Sequence, residues 1–234
     1  MSLAELRERI LVANRSLASH GLVTLTWGNV SGVDRQGGVL VIKPSGIAYS
    51  EMTVGDMVVV SLASGEVVEG EHRPSTDTPT HLALYREFQE IGGIAHTHSA
   101  WATAWAQAQR EIPLLGTTHA DLSPHSIPVT RALAPAEIEA GYEAATGTVL
   151  IEAVGERGPL EVPCVLARGH APFCWGEDPE HAVENAVTLE AVAKMAWLTT
   201  ALVPDPAHPP PLDDAVRNKH YQRKHGPRAY YGQS

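Results

Sequence analysis

Helix-period segments and β-branched runs are interleaved along this chain without a regular strand–helix–strand rhythm. That interleaving points to a sheet covered by helices, an α/β or α+β sandwich. Residues 3–19 place Leu3, Leu6, Ile10, Ala13 and Leu17 in helical phase, with Glu5, Glu8 and Arg9 opposite and His20-Gly21 as the stop. Strands are predicted at 23–26, 39–42 and 57–61, and the turn beginning at Ala63 leads into another short one, a small antiparallel set. Helical phase returns over 78–90, 100–108, 135–145 and 179–203, with strands at 91–98 and 163–166. Five prolines within 204–211 end the last helix and read as a linker to a polar tail carrying Tyr230 and Tyr231.

Size and charge narrow the function classes. The 234 residues suit one compact domain, and 27 acidic against 17 basic side chains give a formal charge of -10. Such a surface repels nucleic acid and anionic membranes, so neither is expected as a partner. Cys164 and Cys174 are the only cysteines, which fits a reducing compartment. The first residues carry charge where a signal peptide needs an apolar region, and no stretch approaches a membrane span, so a cytoplasmic protein is expected. Twelve histidines are the outlier, and histidine is both a metal ligand and a proton carrier near neutral pH.

His96 and His98 close an apolar strand two residues apart, so their side chains share one face with roughly 7 Å between Cα atoms, near enough to bind one ion. His170 follows another short apolar run and is a candidate third ligand. Asp77 precedes a helix and is either a fourth ligand or an N-cap. Gly28-Asn29, the loop from Lys43 through Ser45 to Gly46, and the loop from Arg73 through Ser75 to Thr76 are rich in backbone N–H and hydroxyl donors. Such loops hold a phosphate monoester or are ordinary turns. Lys43 is the one lysine of four outside the last helix and the tail. Signatures of ATP chemistry, dinucleotide redox, serine hydrolysis and zincin proteolysis are absent.

Six segments in order then carry a resemblance: TLTWGNVS at 24–31, IKPSG at 42–46, PSTDTPTH at 74–81, GIAHTHS at 93–99, GTTHAD at 116–121 and KHGPRAYYGQ at 224–233. Together they resemble the sugar-phosphate epimerases of the class II aldolase/epimerase family, over essentially the whole chain. The resemblance implies a single domain over 1–234, folded as a three-layer α-β-α sandwich with a mostly antiparallel central sheet. It implies His96, His98 and His170 as ligands of a divalent ion, usually Zn²⁺ with Mn²⁺ or Co²⁺ able to replace it, and Asp77 as a fourth ligand or orienting group. Gly28, Asn29, Lys43, Ser45, Gly46, Ser75 and Thr76 would bind the sugar phosphate. Asp121 and Tyr231 would be the two acid/base groups, Tyr231 chosen over Tyr230 by its spacing to Gln233 and donated by the neighbouring subunit of a homotetramer with interface active sites.

The implied reaction inverts C4 of L-ribulose 5-phosphate to give D-xylulose 5-phosphate, in arabinose or ascorbate catabolism. Direct removal of the C4 hydrogen leaves a carbanion with no electron sink, whereas cleavage of C3–C4 by a retro-aldol step and readdition to the other aldehyde face avoids it. Two acid/base groups on opposite faces are then needed. A Glu in place of Asp77 would point to a sugar-phosphate aldolase that releases its fragments. Residues 122–125 read LSPH where family members carry aromatic residues, and Ala171 follows His170 in place of Gly.

Overall fold

A computed structural model describes residues 2–231 of the chain. Its helices are α1 (Leu3–Ser19), α2 (Thr78–Glu87), α3 (Ala100–Gln107), α4 (Thr117–Leu122), α5 (Pro135–Val154), α6 (Pro179–Leu202) and α7 (Asp214–His225). Its strands are β1 (Asn29–Asp34), β2 (Val39–Ile42), β3 (Val58–Ser61), β4 (Val67–Glu69), β5 (Gly93–His96), β6 (Cys164–Leu166) and β7 (Pro172–Gly176). They form one seven-stranded sheet in the order β4-β3-β2-β1-β5-β7-β6, with each neighbouring pair antiparallel.

Alternation along the strands divides the core. Leu40, Ile42, Ile94 and Phe173 face α2 and α5, meeting Leu84, Tyr85, Leu150 and Val154. Val30, Ala95 and Cys174 face the other way, toward Leu17 of α1, Trp105 of α3 and Leu189 of α6. The same face continues through Val41 and Val59 to Leu6 and Ile10 of α1. Two helical layers on one antiparallel sheet are the expected three-layer sandwich. α1 begins with a reciprocal cap in which Ser2 Oγ accepts from Glu5 N and the Glu5 carboxylate accepts from Ser2 N.

Several elements differ from expectation. Residues 23–26 are a loop in which Leu25 takes a φ of 54°, and β1 starts at Asn29, beyond the turn at Gly28. α5 runs on to Val154 because Val149, Leu150 and Val154 are buried. The polar tail contains a helix, α7, none of whose residues is buried; a helix polar all round has no apolar period to betray it. α4 and β7 are the other elements without a sequence-derived counterpart, and His170 lies in the turn between β6 and β7, where His170 N donates to Ala167 O at 3.0 Å.

Two buried histidines make stability pH-dependent. Burial pushes His81 down to about 3 and His119 down to about 4 from the ordinary 6.5. Both are neutral in the folded chain, while the unfolded chain takes up their protons near 6.5. The stability is therefore fully present above 6.5 and is lost as pH falls toward the folded values, at a limiting ~1.4 kcal/mol per pH unit for each histidine. The urea midpoint of the metal-free protein is expected to be clearly lower at pH 5 than at pH 7, and equal midpoints would contradict this account.

Candidate metal centre

Strand register assembles the site. Asn29 opens β1 opposite His96, which ends β5, and His96 lies opposite Phe173 near the start of β7. The β6–β7 turn thus delivers His170 to the same end of the sheet, and His98 follows two residues beyond His96. The ring centroids of the three histidines lie 4.9–5.0 Å apart. One ligand atom from each lies within 4.8 Å of the others, the one such group of His, Cys, Asp and Glu among the described residues.

The donor chemistry fits a divalent cation. His96 is buried, stacks on Phe173 at 4.0 Å, and its Nδ1 donates to Pro172 O at 2.9 Å. That hydrogen bond places the proton on Nδ1 and leaves the Nε2 lone pair for a ligand. Burial lowers His98, and burial together with His96 and His98 lowers His170 to about 4, so both are neutral imidazoles at pH 7. Three imidazoles with open positions are the donor set of a catalytic metal site.

Asp77 occupies the N-cap position of α2 but makes no capping bond. Its Oδ2 accepts from Asn29 Nδ2 at 2.7 Å and lies 3.9 Å from His96 Nε2. Burial opposes its charge, yet His96, His81 and the Asn29 amide hold it below the usual carboxylate value. The Asp77 carboxylate thus lies beside the triad and does not cap α2.

The triad opens into a cavity of about 450 Å³ lined by Thr26, Trp27, Gly28, Asn29, Lys43, Pro44, Ser45, Gly46, Ser75, Thr76, Asp77 and the three histidines. All seven residues expected to bind the sugar phosphate line this one cavity. Two of the loops are joined by backbone hydrogen bonds, Ser45 N to Arg73 O at 2.9 Å and Ser75 N to Lys43 O at 3.0 Å. Asn29 Nδ2 also donates to Ser75 Oγ at 2.9 Å. Lys43 is buried, and its Nζ donates to Thr26 O and Pro44 O. Burial pushes it down to about 8, so it is predominantly a cation at pH 7 beside the hydroxyl-lined loops.

Gly28 makes this packing possible. Its φ is +77°, and an added Cβ would lie 2.7 Å from His96 O. Gly28→Ala is expected to destabilise the fold by about 1–3 kcal/mol, because both the backbone conformation and the ligand-bearing carbonyl must give way. Urea unfolding checks this, and a midpoint equal to that of the unmodified chain would show that the loop tolerates the methyl group.

Asp121 and Tyr231 are not among the residues lining this cavity. Asp121 is instead held by α7: Arg223 donates to both carboxylate oxygens at 3.1 and 2.7 Å, and His220 Nδ1 lies 3.2 Å from Oδ1. Tyr231 lies against the same guanidinium, 4.3 Å from ring centroid to Cζ, and its backbone N donates to Arg223 O. The two expected acid/base residues therefore meet around Arg223, apart from the triad. Gln233, used to choose between the tyrosines, lies outside the described residues. Sequence reasoning overlooked Trp27, whose ring is 6.1 Å from His98, and Tyr49, whose hydroxyl donates to Trp27 O and Gly28 O. It also overlooked Tyr142, beside His170, and Arg223. Only tertiary packing marks them.

A helix-covered antiparallel sheet with three convergent imidazoles defines an α/β scaffold with a candidate metal site. The chain belongs to the class II aldolase and adducin family: residues 8–197 match the Class II Aldolase and Adducin N-terminal domain. Over 229 residues it is 54% identical to the L-ribulose-5-phosphate 4-epimerase UlaF of Salmonella paratyphi C (strain RKS4594), covering 98% of this chain and 99% of the relative. The protein of that name from Salmonella typhi matches to the same extent. Among solved structures, an L-fuculose 1-phosphate aldolase superposes with a TM-score of 0.77 at 24% identity, covering 95% of this chain and 97% of the other. YgbL from Escherichia coli, described as a putative aldolase/epimerase/decarboxylase, gives 0.72 at 23% identity, covering 92% and 97%. These structural likenesses are of fold. No helix among the described residues is long and apolar enough to cross a membrane.

Proposed function

We propose that this protein interconverts L-ribulose 5-phosphate and D-xylulose 5-phosphate by retro-aldol cleavage and readdition, as a zinc-dependent cytoplasmic homotetramer in pentose catabolism. The observation that carries this reading is the single cavity in which His96, His98 and His170 face the loops of Asn29, Lys43, Ser45, Ser75 and Thr76. One end suits a polarised ketose and the other a phosphate monoester. The likeness to L-ribulose-5-phosphate 4-epimerases over nearly the whole length supports the choice of substrate. The whole chain is read as one domain, with 204–211 linking it to the segment that carries Tyr231.

When bound, a divalent ion at the triad would supply Lewis-acid polarisation of the ketose oxygens. The protein's own groups do the rest. Lys43 and the donors of Ser45, Gly46, Ser75 and Thr76 hold the phosphate, so the aldehyde fragment stays in place while it turns. One of Asp121 and Tyr231 takes the C4–OH proton as C3–C4 breaks to an enediolate and glycolaldehyde phosphate. After rotation, the other delivers a proton from the opposite side. Tyr231, packed on Arg223 and outside the lining of its own chain's triad cavity, supports a site that the neighbouring subunit's tyrosine completes. Asp77, tied to Asn29 at 2.7 Å, has a shorter reach toward the enediolate carbon than a Glu there would have, which favours epimerisation over fragment release.

A coupled assay on zinc-loaded protein tests this: D-xylulose 5-phosphate should form from L-ribulose 5-phosphate without trappable glycolaldehyde phosphate. Cleavage of another ketose phosphate with release of its aldehyde, and no epimer, would replace this reading with that of an aldolase.

A further inference from the structure

We propose that Tyr142 is a positioning residue of the triad, setting the rotation and tautomer of His170 from behind; this rests on the reading of the triad as a divalent-metal site. Tyr142 Oη lies 3.3 Å from His170 Nδ1, the long end of hydrogen-bonding distance, with ring centroids 6.2 Å apart. Tyr142 does not line the triad cavity. It lines a separate cavity of about 230 Å³, and His170 is the one residue common to the two linings. The phenol therefore addresses the imidazole on the side away from the ligand space. If His170 ligates through Nε2, its Nδ1 carries the proton and donates it to Oη.

The backbone of α5 is broken where this contact requires it. Gly141 has φ 151° and ψ 97°, values outside the helix, so Tyr142 begins a new helical run and Thr146 Oγ1 donates to its carbonyl at 2.8 Å. The nearest atom to an added Cβ at Gly141 is Ala144 Cβ at 4.0 Å. There is room for a methyl group, so glycine is needed there for its conformation. His96 is oriented by a backbone carbonyl, Pro172 O, which substitution cannot remove. His170 is oriented by a side chain, which makes it the ligand whose placement a mutation can loosen.

The experiment titrates metal-free protein with Zn²⁺ against a chromophoric chelator, and with Co²⁺ for its visible spectrum. Tyr142→Phe is expected to bind Zn²⁺ about 10–100-fold more weakly and to shift the Co²⁺ spectrum. With metal in excess, its KM for the sugar phosphate should stay unchanged, because Tyr142 lies outside the cavity. Gly141→Ala, which keeps the phenol but forbids the backbone, should weaken binding in the same direction. Unchanged affinity and spectrum in Tyr142→Phe would overturn the inference, as would a lower urea midpoint with unchanged affinity, the mark of a packing role. If the unmodified protein bound no ion, or His96→Asn bound it as tightly, the triad reading itself would fall and this inference with it.

Discussion

His96→Asn is expected to release the divalent ion and to lower kcat/KM for epimerisation about a thousandfold or more. His96 is the most tightly held of the three imidazoles: its ring lies 5.0 Å from each of the other two, its Nδ1 donates to Pro172 O, and Asp77 Oδ2 lies 3.9 Å from its Nε2. Lewis-acid stabilisation of the developing charge is worth several kcal/mol, and each 1.36 kcal/mol is a factor of ten in rate, so ~4 kcal/mol gives about three powers of ten. The same change removes the stacking on Phe173 at 4.0 Å, so the urea midpoint must be measured beside the rate. Metal content by atomic emission and kcat/KM on the refolded protein decide the matter. A metal-free variant with undiminished activity would refute the metal mechanism.

Tyr231→Phe is expected to keep the ion and lose about 10²–10⁴ in kcat, the usual worth of a positioned acid/base group. Tyr231 lies against Arg223, outside the lining of the triad cavity, so removing its hydroxyl leaves all three histidines untouched. The sharper test mixes chains. His96→Asn and Tyr231→Phe proteins, each inactive alone, are unfolded together and refolded. If each site takes its triad from one subunit and its tyrosine from the next, random mixing leaves about one quarter of the sites with both groups intact. Activity near that fraction of the unmodified enzyme is expected. Mixtures as inactive as the separate variants would show that each chain completes its own site, and the shared-site reading would be dropped.

Local chemistry is what the amino-acid order determined by itself. The helix at 3–19 and the strand at 39–42 appear with those bounds because side-chain period and stop residues are properties of neighbours in the chain. His96 and His98 pointed to a candidate metal site through spacing alone, and the donor-rich loops stood out through turn composition. What tertiary structure decided is convergence. Asn29, His96 and Phe173 meet because three antiparallel strands share one register, and no local pattern encodes that register. Asp77 left its capping role because Asn29, 48 positions away, offers its carboxylate a better donor. The helix Asp214–His225 carries no apolar stripe; it is anchored by Arg223 and His220 on Asp121, about a hundred residues earlier in the chain. Tyr142 gained a role only when the break at Gly141 brought it against His170. Periodicity and turn chemistry act between neighbours along the chain, whereas side-chain contacts between distant segments exist only once the sheet has set those segments side by side.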